Sequence, residues 1–310
     1  MAEWLLADVG ASNTRVALAT PAGVLRETAQ TLRNDGFAGL APLLATYLGT
    51  QGARPTALCA GVAGPVRNGT AQLTNLDWFI DSATLARATG TSEVHLINDL
   101  QAQAWALDDL APASLTPLIP GIPAPDGPRM VMGLGTGSNI AVAHRMGARL
   151  FVPPAEAGHS GLPHMDETTN ALITALATEI PHKPYEALLS GPGLSRLHSL
   201  RTGHSLPPPQ IVAAHVAGDA DATATLEMFA KIMGTVMGNL ALTHMTTGGV
   251  FLIGGAARMV ASHLLPLGFP EYFTAKGPYT PILQAMPLTL ITDDHAALSG
   301  CARYLRQNLK

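Results

Sequence analysis

An unbroken apolar run from Trp4 to Ala7 stops at a carboxylate, Asp8, and the chain passes through Gly10, Ala11, Ser12 and Asn13 before alternation resumes in TRVALAT. A run suited to burial on both faces, followed by a period of two, predicts two strands about a turn of small residues. GLAPLLATYLG then has helical spacing, and ALCAGVAGP and EVHLIND read as further strands. The second of these delivers Asn98 and Asp99 to the head of a helix in LQAQAWALDDL. Residues 111–128 hold six prolines, a density that predicts a crossing loop without a regular element.

RMVMGLGTGSNIAVAHR repeats the opening plan: an apolar strand, a turn at Gly133, Gly135, Thr136, Gly137 and Ser138, and an alternating strand. Pro153 to Gly193 reads as loop-rich, and the pattern after LPPP predicts one long helix from about Gln210 to His244. GVFLIGG is a buried type of strand feeding the helix AARMVASHLL, and LTLI is a last strand. Asp293 or Asp294 is placed to cap a final helix over 295–308. The organisation expected is α/β with two domains: a small one over 1–110, on which the helix 295–310 packs back, and a large one over 111–294.

Composition narrows the chemistry. Across 310 residues, 18 basic against 22 acidic side chains leave a net charge of -4 and no basic face for a nucleic-acid backbone. The uncharged stretch Ile232 to Ala257 contains Gly, Thr, Asn and His, so it divides into a helix and a strand rather than crossing a membrane. Cys59 and Cys301, far apart in apolar surroundings, suit reduced core thiols, and no basic region opens the chain as in a signal peptide. These features point to a cytoplasmic protein with a small-molecule substrate and neither membrane nor nucleic acid as partner.

The glycine turns exclude two common phosphate sites. None of the lysines follows a glycine, which removes the Gly-Lys-Ser/Thr loop, and Ser138 stands where a dinucleotide fingerprint needs its third glycine. What remains is a pair of hairpins offering bare backbone amides, which make anion-binding concavities. Asp8, at the mouth of the first turn, suits Mg²⁺ held through water against phosphates.

DVGASNTR, GPV, TNLDW, NDLQA, GLGTGSNIAVAH, EAGH, LSGPGL, GNLAL and GGVFLIGG follow one another as in bacterial glucokinases, which the chain resembles over nearly its whole length. That resemblance implies a two-lobed actin-like ATPase (ribonuclease H-like) fold with a nucleotide and sugar cleft between a small and a large domain. It implies ATP-dependent, Mg²⁺-assisted phosphorylation of D-glucose at the 6-hydroxyl, the first step of glycolysis, by a homodimer. Asp99 matches the catalytic base, and Asn98, Asp99, Glu156, His159 and Glu186 match the glucose ligands. Asp8, Gly10, Ala11, Ser12, Asn13, Gly135, Thr136, Gly137, Gly254 and Gly255 match the nucleotide-binding positions, with Asp8 on the metal. Asn75 and Trp78 are expected to line the cleft, a buried structural tryptophan being the other reading of Trp78. Ala11 and Ala157 stand where the family carries glycine, which puts the first turn and the seating of Glu156 in question. The alternatives are a kinase for another hexose and a non-catalytic sugar-binding regulator of the same fold.

Overall fold

The computed structural model describes residues 3–73 and 76–309. In chain order the first elements are β1 (Trp4–Val9), β2 (Asn13–Thr20), β3 (Gly23–Arg33), α1 (Leu40–Gln51), β4 (Ala57–Val62), β5 (Val66–Arg67), β6 (Thr70–Gln72), β7 (Phe79–Asp81), α2 (Ser82–Thr89), β8 (Glu93–Asn98) and α3 (Asp99–Ala106). They are followed by β9 (Leu115–Ile119), β10 (Arg129–Leu134), β11 (Ser138–Met146), β12 (Arg149–Phe151), α4 (Glu167–Leu176), α5 (Gly191–Thr202), α6 (Pro208–Val216) and α7 (Ala220–His244). The last are β13 (Gly249–Ile253), α8 (Gly255–Leu264), α9 (Phe269–Thr274), α10 (Thr280–Ala285), β14 (Leu288–Ile291) and α11 (Ala296–Asn308).

Two compact units divide these elements. The first comprises Met1–Pro112, Met146–Pro154 and Asp293–Lys310; the second comprises Ala113–Arg145 and Ala155–Thr292. In the first, the main sheet runs β3-β2-β1-β4-β8, antiparallel from β3 to β1 and parallel from β1 through β4 to β8. Every residue of β1 and of β4 is buried, as strands covered on both faces require. Leu5, Leu18, Leu43, Leu58 and Tyr47 are among the side chains of its core. Across the sheet, Gly61 and Gly300 admit close packing: a Cβ on Gly61 would press on Ala102, and one on Gly300 would collide with the Ala102 carbonyl. Cys59 and Cys301 are both free and buried in this unit.

The second unit repeats the plan with β11-β10-β13-β14-β9, in which β10 pairs antiparallel with β11 and parallel with β13. Its core gathers Met130, Met132, Leu172, Phe229, Met233, Val250 and Leu288.

The structure corrects several expectations. The proline-rich stretch does hold a regular element, β9, because Pro117 sits on the edge strand of its sheet, where a missing N–H breaks no ladder. The long helix after LPPP is two helices: Gly218 adopts φ +88°, and the Asp219 carboxylate caps α7 by accepting the Ala222 amide at 2.8 Å. The loop-rich middle contains α4, capped by Asp166 on Thr169. At α11 the N-cap is His295 without a side-chain cap, while Asp293, two residues before it, accepts the His295 amide instead of one inside the helix.

Candidate active site

In the first unit, parallel pairing aligns Asp8 with Gly61 and Val62 with Asn98, so Asp8 and Asn98 stand at the carboxyl ends of β1 and β8 with β4 between them. At the usual strand spacing this separates them by about 10 Å. Carboxyl ends of parallel strands are where open α/β sheets hold their ligands.

The β1–β2 turn closes on a Gly10 N–H to Asn13 carbonyl bond of 3.0 Å. Asn34 fastens it from below, donating to the Gly10 and Ala11 carbonyls at 2.8 and 3.2 Å and accepting the Thr14 hydroxyl at 2.8 Å. With the carbonyls tied inward, the Ala11 and Ser12 amides find no acceptor among the described residues. Ala11 is not among the residues of positive φ, so its methyl group fits the turn without backbone strain. Asp8, 7 % exposed, pairs with Arg15 at 3.1 Å through one oxygen. Burial pushes its carboxyl up from the ordinary value, and Arg15 and His295 oppose that shift.

Asn98 works as the cap of α3. Its Oδ1 accepts the Leu100 amide at 2.9 Å, its Nδ2 donates to the Gly64 carbonyl at 3.3 Å, and Gln101 returns the bond to the Asn98 amide at 3.0 Å. One amide proton and part of the oxygen remain for a ligand. Because Asn98 fills the cap, Asp99 falls in the first turn, part-exposed, with Oδ1 on the Leu100 amide at 2.8 Å. Asn75 lies outside the described residues; Trp78, 5 % exposed, belongs to the core of the first unit.

In the second unit the β10–β11 turn closes on Gly135 N–H to Gly137 carbonyl, 2.9 Å, and the Gly135 carbonyl receives the Gly191 amide at the head of α5, 2.8 Å. The Thr136 and Gly137 amides have no acceptor among the described residues, as in the first turn. Glu186 leans on this turn: Oε2 accepts the Ser138 amide at 2.7 Å, and a Cβ on Gly137 would lie 2.6 Å from it. Glu156 and His159 join Glu186 in one cluster. Burial raises the Glu156 pKa from 4.5 although one side of it stays exposed; His159 lowers it, and Glu186 raises it again.

Asn139, which no motif singled out as a site residue, builds this corner. It donates to the Ala155 carbonyl at 2.6 Å and to Glu156 at 3.1 Å, and accepts the Ala157 amide at 2.9 Å. Ala157 does not take positive φ either, so Glu156 is seated without a glycine there. Among the described residues no group of three His, Cys, Asp or Glu is arranged for a metal, so His159 and His164 are not part of one.

Gly254 and Gly255 differ in kind. Gly254 has φ +108° and ψ 165°, and a Cβ there would strike the Leu134 carbonyl, so close strand packing requires it. Gly255 faces open space at the head of α8.

A family model described as Glucokinase matches residues 5–308. The chain is 35% identical to the glucokinase of Chromobacterium violaceum over 98% of its own length and 90% of that protein's. It is 33% identical to a glucokinase-like protein of Xylella fastidiosa, covering 97% and 94%. Among solved structures it is similar to a glucokinase from an Antarctic psychrotroph, with TM-score 0.88 and 30% identity over 98% and 99% of the chains. It shares the fold of a Balamuthia mandrillaris glucokinase solved with glucose, TM-score 0.79 at 18% identity, covering 98% and 93%.

Proposed function

This chain belongs to the glucokinase family, and on that premise we propose that it transfers the γ-phosphoryl group of ATP to the 6-hydroxyl of D-glucose with Asp99 as general base. Its fold is the two-domain actin-like ATPase fold of sugar kinases. The observation that carries the reading is the placement, at the same end of one sheet with β4 between them, of the Asp8 turn after β1 and Asp99 just past the end of β8. A phosphate chain gripped at the first can present its terminal group to a hydroxyl held at the second.

Asp99 accepts the proton of the 6-hydroxyl as that oxygen attacks phosphorus, leaving ADP and glucose 6-phosphate. Its place in the first turn of α3 favours the ionised form that a base needs, since helix N-termini stabilise negative charge. Glu156 and Glu186 accept sugar hydroxyls, His159 donates or accepts, and Asn98 contributes the part of its amide that capping leaves over. The amides of Ala11, Ser12, Thr136 and Gly137 receive phosphate oxygens, and Gly255 leaves room for the adenosine end.

Mg²⁺ fits the first turn. The Asp8 oxygen that Arg15 does not hold is an oxygen ligand of the kind this ion prefers, and a cation there relieves the cost of burying the carboxylate. When bound, the ion would neutralise charge on the phosphates. The family reading also makes the protein a cytoplasmic homodimer feeding glycolysis, and sedimentation of the purified chain tests the dimer.

The decisive assay follows ATP consumption with and without glucose. Turnover is expected to depend on the sugar, and Asp99→Asn to lower kcat by about 10²–10⁴-fold while glucose affinity and Tm hold. Near-normal turnover in that variant removes Asp99 from the base role.

A further inference from the structure

We propose that the hydroxyls of Ser138 and Tyr185 are positioning groups that set the Glu186 carboxylate for a sugar hydroxyl; the inference rests on the reading of Glu186 as a glucose ligand. Tyr185 is 1 % exposed and Ser138 4 %. Neither hydroxyl meets hydrogen-bond geometry with a partner among the described residues, yet the two lie close enough that the Ser138 hydroxyl pulls the Tyr185 pKa down against the effect of burial. The Tyr185 hydroxyl also feels the charges of Glu186 and Glu156, which add to the effect of burial in pushing its pKa up.

Backbone closes round Glu186 Oε2. The Ser138 amide holds Oε2, Gly137 leaves room for it, and a Cβ on Gly158 would lie 3.5 Å from the same oxygen. A Cβ on Gly158 would collide with the Ser138 carbonyl, and the Tyr185 amide donates to the Ser160 carbonyl at 2.9 Å, so the backbones of both residues are held against the loop that carries Glu156 and His159.

Phe and Ala would fill these two positions without burying an unpartnered hydroxyl, an arrangement that ordinarily lowers stability. Two such groups behind one carboxylate therefore point to a partner gained in the sugar-bound state. When a sugar hydroxyl engages Glu186 Oε1, a small rotation of the carboxylate lets Tyr185 O–H donate to Ser138 Oγ and Ser138 O–H donate to Oε2. Oε2 is then held by the amide and the hydroxyl of one residue, and Oε1 keeps its lone pairs for the sugar. Both hydroxyls act through Glu186 and touch no reacting atom.

The test compares Tyr185→Phe and Ser138→Ala with the parent enzyme. Each is expected to raise the glucose KM about tenfold, the worth of one hydrogen bond to a charged group, with kcat within about threefold, ATP KM unchanged and Tm unchanged or higher. The double variant is expected to be no worse than the poorer single one, because the bonds form one chain. A purely structural role predicts the reverse: Tm falls and KM does not change. Glucose KM within twofold of the parent in both variants, while Glu186→Gln raises it, overturns this inference alone. An unchanged KM in Glu186→Gln overturns the reading of Glu186 and the inference with it. Should Tyr185→Phe fail to fold, Ser138→Ala alone decides.

Discussion

Burial raises the Glu156 pKa above 4.5, His159 pulls it back and Glu186 adds to the rise, so the ionised acceptor is lost earlier on acidification than an ordinary glutamate would be. The sign for folding follows from the same shift: the protonated form is favoured in the folded chain below 4.5, and that contribution is lost as pH rises through the raised pKa. For binding the sign is opposite, since the sugar needs an acceptor. Glucose KM is therefore expected to rise on acidification with a midpoint above 4.5, and Glu156→Gln to flatten that limb; a pH series of initial rates checks it. The glycine pair offers a second residue-level contrast. Gly254→Ala forces a side chain into a conformation close to glycine-only and against the Leu134 carbonyl, and is expected to cost about 1–3 kcal/mol or more in urea unfolding. Gly255→Ala is expected to leave Tm alone and to act, if at all, on ATP KM. Residues of this kind divide by legibility. Asp8 and Gly137 stand in turns whose small-residue pattern is visible in the sequence and Glu186 is picked out by the family resemblance alone, whereas Asn34 lies in no motif and Asn139 lies in one without being marked by it. Their roles appear only when remote backbone carbonyls arrive beside them.

Elements buried on both faces are readable from one sequence because their pattern has a single explanation: β1, apolar but for Asp8, and β4, without a polar side chain, are completely buried. The edge strand β3 is largely polar and half-exposed, so GVLRETAQTLR carries no alternation that distinguishes it from a loop. The division of α6 from α7 escapes periodicity because Gly218 and Asp219 interrupt the pattern for one turn only, and β9 escapes because proline is a breaker everywhere except on an edge. A prediction belongs here, at the start of α4. Asp166 caps that helix and pairs with Lys231, whose hydrogen bond does most to lower its pKa to about 2. A lowered folded pKa means stability that is present above 3.8 and lost as pH falls toward about 2. Asp166→Asn keeps a capping oxygen but removes the charge. It is expected to lose no more than about 1 kcal/mol at pH 7, given the exposure of the pair, with the difference narrowing on acidification. Urea midpoints of both proteins from pH 7 to pH 3 follow it, and a difference that stays constant with pH removes the ion pair from the account.

At the scale of the whole molecule, neither unit is continuous in sequence: the first is completed by 146–154 and by 293–310, which follow the second unit's first strands and its last one. The first unit thus closes its core only when the last residues are present. From α11, Leu298, Cys301 and Leu305 are fully buried, and Gly300 packs against the backbone of α3, the helix that begins with Asp99. At the far end of α3, Arg303 bonds Asp108 at 2.7 Å and Asp109 at 2.8 Å, so α11 holds that helix along its length. Each large apolar side chain buried there contributes about 1.5–3 kcal/mol, so the helix as a whole approaches the 5–15 kcal/mol that a domain has to lose. A chain ending at residue 292 is therefore expected to lose glucose phosphorylation and the unfolding transition of the first unit, although we assign none of the removed residues to glucose or ATP. Its second unit, intact in sequence and core, is expected to keep protected amides in β10, β13 and β14. Hydrogen exchange on the truncated chain separates the outcomes: retained protection in β1 and β4 would show that α11 is an accessory to the first unit's core rather than part of it.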